Sequence, residues 1–290
     1  MHSFLRSIGF GTIKSRQEEE KLIKLVLDNA SERQIVRLGE ERSIEELYME
    51  VADETGIIVR GETDKSGEFH PSHYFPVHRG QILSTEEAVF INKRVDTDAF
   101  TGMCDDYRIG VSLIFYVQNS VDIWKHPILR KDRSRYPIYL SAMSGEGKIL
   151  LPVMKSKQQK EKVKNDLKIR SALISEAKQG NQEAMQSLTM DDIDQYAQVS
   201  RRIRREDVYS IVETSFIPFG SESDNYTVLG YITCVEKFEN RYTKEEFYVL
   251  SLSCNEIEFE VCVNAADLFG EPEVGRRFRG NVWMQGKIEV

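Results

Sequence analysis

Apolar residues first fall into step at a helical interval. Leu22, Leu25 and Val26 share one helical face, and Ser15 followed by Glu18 makes a capping box, which satisfies free backbone N–H groups of a first turn. A helix over 16 to 28 is predicted, with Asn29 at its exit. From 33 to 150 the interval shortens to two, the period of half-buried strands. "GIIVRGET" and "EFHPSHYF" flank the turn Asp64-Lys65-Ser66-Gly67, and "RYPIYLSAM" and "KILLPV" flank "SGEG". Both read as hairpins. One helix against an antiparallel sheet is the simplest arrangement of these elements.

The pattern changes at 155. "KSKQQKEKVKNDLKIR" is lysine-rich and poor in apolar residues at its start, the composition of a linker or an exposed helix. "RSALISEAKQGNQEAMQSL" continues as helix, broken at Gly180. Thr189 opens a further helix, with Asp192 at the far position of a capping box, running to about Glu206.

The remaining residues read as strands over 209–218, 226–237, 245–254, 257–264 and 274–290. One register follows by arithmetic. If Asn255-Glu256 is a two-residue turn, Cys254 faces Ile257, Leu252 faces Phe259, Leu250 faces Val261 and Tyr248 faces Val263, all apolar. Glu258 and Glu260 then meet Ser253 and Ser251 on the other face, and a one-residue slip destroys the match. Short strands with a loop-helix around "AADLFG" after the third resemble a small oligonucleotide-binding-type (OB-like) barrel. The expected fold class is α+β: an N-terminal antiparallel sheet with a helix over 1–152, a helical middle segment over 153–208, and a C-terminal small OB-like β-barrel over 209–290.

Composition narrows the function classes. Charged residues make up 30% and the net charge is −8, the opposite sign from a dedicated nucleic-acid binder. The cysteines at 104, 234, 254 and 262 contain no C-x-x-C pair, so thiolate metal sites and thioredoxin-like chemistry lose their usual spacing. The longest clean apolar run, "VSLIFYV", is far short of the roughly 20 residues of a spanning helix. A cytoplasmic protein with reduced thiols and no membrane partner is expected.

Candidate chemistry is sparse. "GFGTIKS" (9–15) has Ile13 where a phosphate loop needs its second glycine, and turn plus helix cap explains it. His70, His73 and His78, with Asp96, Asp98, Cys104, Asp105 and Asp106 downstream, offer ligands for Zn²⁺ or Fe²⁺, but the spacing matches no ligand rhythm and no metal site is assigned. No Ser, His and Asp grouping has the local support of a G-x-S-x-G turn, and no motif implies a cofactor.

Two arginine clusters remain. In "SRRIRRE", Arg201, Arg202, Arg204 and Arg205 close a helix whose first turn holds Asp191, Asp192 and Asp194, the distribution that complements a helix dipole. Arg201 and Arg205 also resemble the R-x-x-x-R entry motif of PilZ domains, the cyclic-dinucleotide receptors. The companion [DN]-x-S-x-x-G element is not matched by "YTVLGYITC" or "VLSLSCNE". In "GRRFRGNVWMQG", strand alternation puts Arg277 and Arg279 on one face beside Gly280, with Arg276 and Trp283 nearby. Aromatics and arginines so placed suit stacking and phosphate contact.

"FLRSIGF", "NKRVDTDAFTGMCDDYRIGVSLIFY", "RREDVYSIVETSFIPFG" and "GEPEVGRRFRGNVWMQG" together resemble a bacterial family described as a domain of unknown function, found mainly in Gram-positive gut anaerobes. The resemblance implies a bacterial, cytoplasmic, single-chain protein and carries over no site residues. The leading functional expectation is a non-enzymatic ligand-binding or interaction module, with a protein or small ligand as partner, using Arg276, Arg277, Arg279, Trp283, Arg201 and Arg205. The alternatives are a metal-dependent enzyme built on His70, His73, His78 and Asp96–Asp106, and nucleic-acid or cyclic-dinucleotide binding through the C-terminal arginines.

Overall fold

The computed structural model describes residues 2–38, 42–64, 67–95, 97–106, 108–130, 134–153, 169–170, 172–177, 179–190, 208–221 and 223–289. Two compact units emerge, one from Met1–Leu150 with Thr214–Val290 and one from Leu151–Glu213.

In the larger unit, helix α1 (Arg16–Asn29) starts at the predicted capping box: the Ser15 side chain accepts from the Glu18 N–H while Glu18 accepts from the Ser15 N–H. Its buried residues, Leu22 and Val26, pack on a four-stranded antiparallel sheet. That sheet is a meander of β1 (Glu32–Arg37), β2 (Ser43–Ala52), β3 (Thr55–Thr63) and β4 (Phe69–His78). β3 pairs with β4 as predicted, and where the turn is expected the Gly67 N–H donates to the Asp64 carbonyl, with Lys65 and Ser66 outside the described residues. Strands β2 and β3 are buried along most of their length. Helix α1 covers one face, and the other packs against the second sheet through Tyr116, Met143 and Trp283.

The second sheet contains β5 (Leu83–Thr85), β6 (Val89–Lys93), β7 (Phe100–Asp105), β8 (Ser112–Val117), β9 (Ile138–Leu150), β10 (Ser215–Pro218), β11 (Asn225–Glu239), β12 (Glu246–Cys254), β13 (Ile257–Asn264), β14 (Leu268–Phe269) and β15 (Arg277–Ile288). The short helix α2 (Ser120–Lys125) follows β8. Five of the strands close on themselves in the order β11-β12-β13-β9-β15-β11, with β13–β9 the parallel pairing and the others antiparallel. This is an OB-like barrel, so the chain is an α+β protein ending in one. An OB barrel's last strand lies parallel to its third. Here β9 takes that place although it precedes the other four in the chain, so the connectivity is circularly permuted.

The β12–β13 register is the predicted one, pair for pair. Asn255 and Glu256 sit at φ 51° and 65°, the double left-handed geometry of a type I′ turn, whose twist matches the flanking strands. Leu250, Leu252, Phe259 and Val261 fill the barrel interior, while Phe247, Val249 and Cys262 face outward onto Leu5, Ile8 and Phe10 of the N-terminal segment. OB barrels present oligonucleotides to this face, the one formed by their second and third strands. In this chain the 3-10 turn Ser3–Ile8 covers part of it. Gly9, at φ 87°, ends that turn, in keeping with a cap and not a phosphate loop.

The expected hairpin at "SGEG" is not formed. Ser144 to Gly147 lie within the single strand β9, which pairs with β15 on both sides of them, Ser144 opposite Val282 and Gly147 opposite Gly280. A bulge between Gly280 and Val282 absorbs the irregularity, and the Ser144 hydroxyl donates to the Glu146 and Asn281 carbonyls. The turn-like composition marks a bulge in a long strand.

In the smaller unit, residues 172–177 and 182–190 are helical, separated by Gly180 at φ 90°, and Val208–Ile211 forms a further turn of helix. The helix end carrying Arg201, Arg202, Arg204 and Arg205 lies outside the described residues.

Strand alternation separates the thiols. Cys254 points into the barrel and Cys262 out of it, and all four cysteines are free. Burial pushes the Cys104 and Cys254 thiols up to about 12 and raises Cys262 as well, whereas Cys234 is exposed. Since the thiolate is the reactive form, iodoacetamide is expected to add once to the native protein, at Cys234. Mass spectrometry finding a second adduct under native conditions would overturn this.

Candidate functional site

A cavity of about 380 Å³ opens where the 3-10 turn, β4, β8 and the β11–β15 pair meet. Its walls are aromatic. Trp283, on the outer face of β15, stacks on Phe4 (centroids 5.9 Å apart) and lies 4.7 Å from the His2 ring and 5.2 Å from Tyr116. Phe75 meets Tyr116 edge-on at 4.9 Å. Each ring is held from behind. The Trp283 indole N–H donates to Asp224 Oδ2 at 3.1 Å, and Arg94 reaches the same carboxylate at 3.3 Å. The His2 N–H donates to the Tyr74 hydroxyl at 3.2 Å, which donates to Glu19 at 2.6 Å, tying the turn to α1. Burial depresses the His2 imidazole to about 4, so at neutral pH it is a flat uncharged ring with Nδ1 accepting from the Phe4 N–H.

Two polar atoms in this lining lack a partner. Thr97 Oγ1 and Asn225 Oδ1 are buried and have no hydrogen-bond partner among the described residues. An unpaired buried polar atom costs about 1–3 kcal/mol.

Beneath the cavity runs a ladder of side chains across the N-terminal sheet: Gln34 opposite Glu46, Glu46 opposite Arg60, Arg60 opposite His73. Arg60 is 1% exposed and donates to Glu46 Oε2 from Nε (2.9 Å) and an NH2 nitrogen (2.6 Å). Its remaining nitrogen lies 3.3 Å from the Tyr116 hydroxyl and 3.4 Å from His73 Nε2. Burial opposes the charge, but Tyr116 and Glu46 outweigh it and raise the Arg60 pKa. Burial likewise pushes the Tyr116 phenol up. A permanent cation therefore supports two of the cavity's walls.

The residues singled out by sequence are dispersed. Trp283 lines the cavity, but Arg276, Arg277 and Arg279 are not among its lining residues. Arg276 pairs with Glu273 at 2.7 Å and donates to the Glu271 carbonyl, Arg277 is 3% exposed, and Arg279 stands opposite Lys148 and Leu229. Arg277, Arg279 and Trp283 share the outward face of β15, with Val282 inward; Arg279 to Trp283 spans ~13 Å of strand.

The histidines and aspartates do not converge. His73 borders the cavity. His78 is buried, with Nδ1 2.7 Å from the Thr55 hydroxyl and Nε2 3.6 Å from Glu260. Asp98 pairs with Arg42 and Lys93, and Asp106 accepts from Thr85 and Arg108. Cys104 lies within β7 in the apolar core, Asp105 accepts from the Ser112 hydroxyl, and Asp96 is outside the described residues. His70 instead joins Asp64 and Glu68 at the exposed β3–β4 turn, where one ligand atom from each lies within 4.8 Å of the others. Asp64 there already accepts from the Glu68 N–H at 3.0 Å and contacts His70 at 3.2 Å.

Sequence reasoning missed His2, Phe4, Phe75, Thr97, Tyr116 and Asn225. Asn225, which the structure sets opposite Trp283, falls one residue before the strand expected over 226–237, and no spacing in the sequence joined the two.

Fold and site together define a class, an α+β protein with a permuted OB-like barrel and an aromatic cavity against its outer face. The chain belongs to the family described as "Domain of unknown function, E. rectale Gene description (DUF3881)", whose model matches residues 5–286. No curated protein and no solved structure matches it. Among the described residues, no helix is long and apolar enough to cross a membrane.

Proposed function

We propose that this chain is a cytoplasmic, non-enzymatic binding protein whose site is the cavity beside Trp283. Its ligand is a small planar heteroaromatic compound with hydrogen-bonding groups at its edge, of the size and chemistry of a nucleobase or nucleoside. The observation that carries this reading is the pairing of stacked aromatic walls with two unpartnered polar atoms, Thr97 Oγ1 and Asn225 Oδ1. Rings offer a π-face to any planar ligand, and polar edge groups fix its orientation. A volume of about 380 Å³ falls in the range of small-molecule pockets. The barrel contributes through Trp283 and Asn225.

Trp283 is one of two tryptophans, so the site reports on itself. Titration with adenine, guanine, uracil and their nucleosides is expected to quench its fluorescence saturably. Asn225→Leu should weaken the quenching ligand about tenfold, the loss of one edge hydrogen bond. Absence of quenching by every member at millimolar concentration, or unchanged affinity in Asn225→Leu, would sink the reading.

A further inference from the structure

A second cavity, of about 450 Å³, lies on the other side of the Glu46–Arg60 pair, between the β1–β2 region and the β8–α2 junction. Its polar lining is only partly spent. Arg79 is committed to Glu32 through two bonds of 2.6 and 2.8 Å and lies 3.9 Å over the Tyr48 ring. Glu46 is committed to Arg60. Glu54 and Lys287 line the cavity with no ion pair among the described residues, and Ile58 and Val77 add an apolar surface.

The decisive group is Gln118, which lines this cavity and is 4% exposed. Its Nε2 faces the His78 carbonyl at 2.8 Å, Ser141 Oγ at 2.8 Å and Gln285 Oε1 at 2.9 Å. Turning the amide round would set its oxygen against the His78 and Gln285 oxygens, neither of which can donate there, because the Gln285 amide nitrogen is used on the Pro76 carbonyl. The orientation is thereby fixed, and Gln118 Oε1 is left buried without a partner. A buried acceptor on a residue that lines a cavity, together with a carboxylate there that makes no ion pair among the described residues, suits a charged donor. Lys287, exposed at the edge of the same cavity, supplies an ammonium that can meet an anion.

We propose that this second cavity binds a small aliphatic amino acid. The ligand's ammonium group is taken by Glu54 and Gln118 Oε1, its carboxylate by Lys287, and its side chain rests on Ile58 and Val77. The site is independent of the cavity beside Trp283 and of any ligand there.

Calorimetric titration of the full chain with L-leucine, leucinamide and 4-methylpentanoate tests this. Leucinamide lacks the carboxylate and 4-methylpentanoate the ammonium. L-leucine is expected to bind, and each truncated analogue to bind about tenfold more weakly or worse, the usual worth of a charge-assisted hydrogen bond. Lys287→Gln should bring L-leucine down to the affinity of leucinamide and leave leucinamide unchanged. Glu54→Gln, at a half-exposed turn where folding is not at stake, should bring L-leucine down toward 4-methylpentanoate. Gln118→Leu should weaken both ammonium-bearing ligands. No heat with millimolar L-leucine overturns the proposal. So does equal binding of leucinamide or 4-methylpentanoate, or L-leucine affinity unchanged in both Glu54→Gln and Lys287→Gln.

Discussion

Glu46→Leu is expected to destabilise the larger unit by about 3–5 kcal/mol, the usual cost of leaving one member of a buried ion pair alone. Arg60 is the reason. Its side chain is 1% exposed, and among the described groups that meet it only Glu46 carries the opposite charge; the Tyr116 hydroxyl and His73 ring offer dipoles. Without the carboxylate, the guanidinium must stay buried and uncompensated or open the sheet–barrel contact to water. In a unit of this size such a loss lowers Tm on the order of 10 °C. Both cavities would feel it, because Glu46 borders one and Arg60 supports Tyr116 and Phe75 in the other. The paired variant Glu46→Leu with Arg60→Met should recover most of the stability, since replacing a whole buried pair by apolar groups is often neutral. Thermal and urea unfolding of the wild type, the two single variants and the double variant complete the cycle. A single-variant loss below about 1 kcal/mol would place the pair in the solvated class.

What sequence could show of this protein was set by the range of the interaction involved. The Ser15–Glu18 capping box and the Asn255-Glu256 turn are local chemistry, and the β12–β13 register follows from that turn once alternation is counted. Gly180 likewise ends a helix by its own backbone geometry. "SGEG" misled because its glycines answer to a strand far along the chain: Gly147 pairs with Gly280. The barrel's permutation was invisible for the same reason, β9 taking a place beside β13 that nothing near it announces. The cavity draws His2 and Phe4 from a turn, Phe75 and Tyr116 from two sheets, and Asn225 and Trp283 from a pair of barrel strands. No spacing rule joins them. Alternation put Arg277 and Arg279 on one face of a strand, and that face is the outer one, but outward on this barrel is not the same as exposed, as Arg277 at 3% shows.

Phe278→Ala should cost about 3–5 kcal/mol, the range for emptying a fully buried aromatic position. Phe278 is 0% exposed inside the barrel, and its ring lies against two glycines that face each other across β9 and β15. A Cβ on Gly147 would stand 2.2 Å from that ring and one on Gly280 2.7 Å from it. Neither distance is tolerable, so the ring and the missing side chains are one device: glycine on both strands makes the room that phenylalanine fills. Gly147→Ala is therefore expected to destabilise by about 1–3 kcal/mol through overpacking. In the Phe278→Ala background the same substitution should cost much less, because the next nearest atom, a Leu268 methyl at 3.2 Å, is the end of a flexible side chain. Denaturant midpoints for the two single variants and the double variant measure the coupling. Strict additivity would mean that Gly147 is required by the backbone bulge rather than by the ring, and the account of the closed β9–β15 seam would have to be rebuilt around the bulge alone.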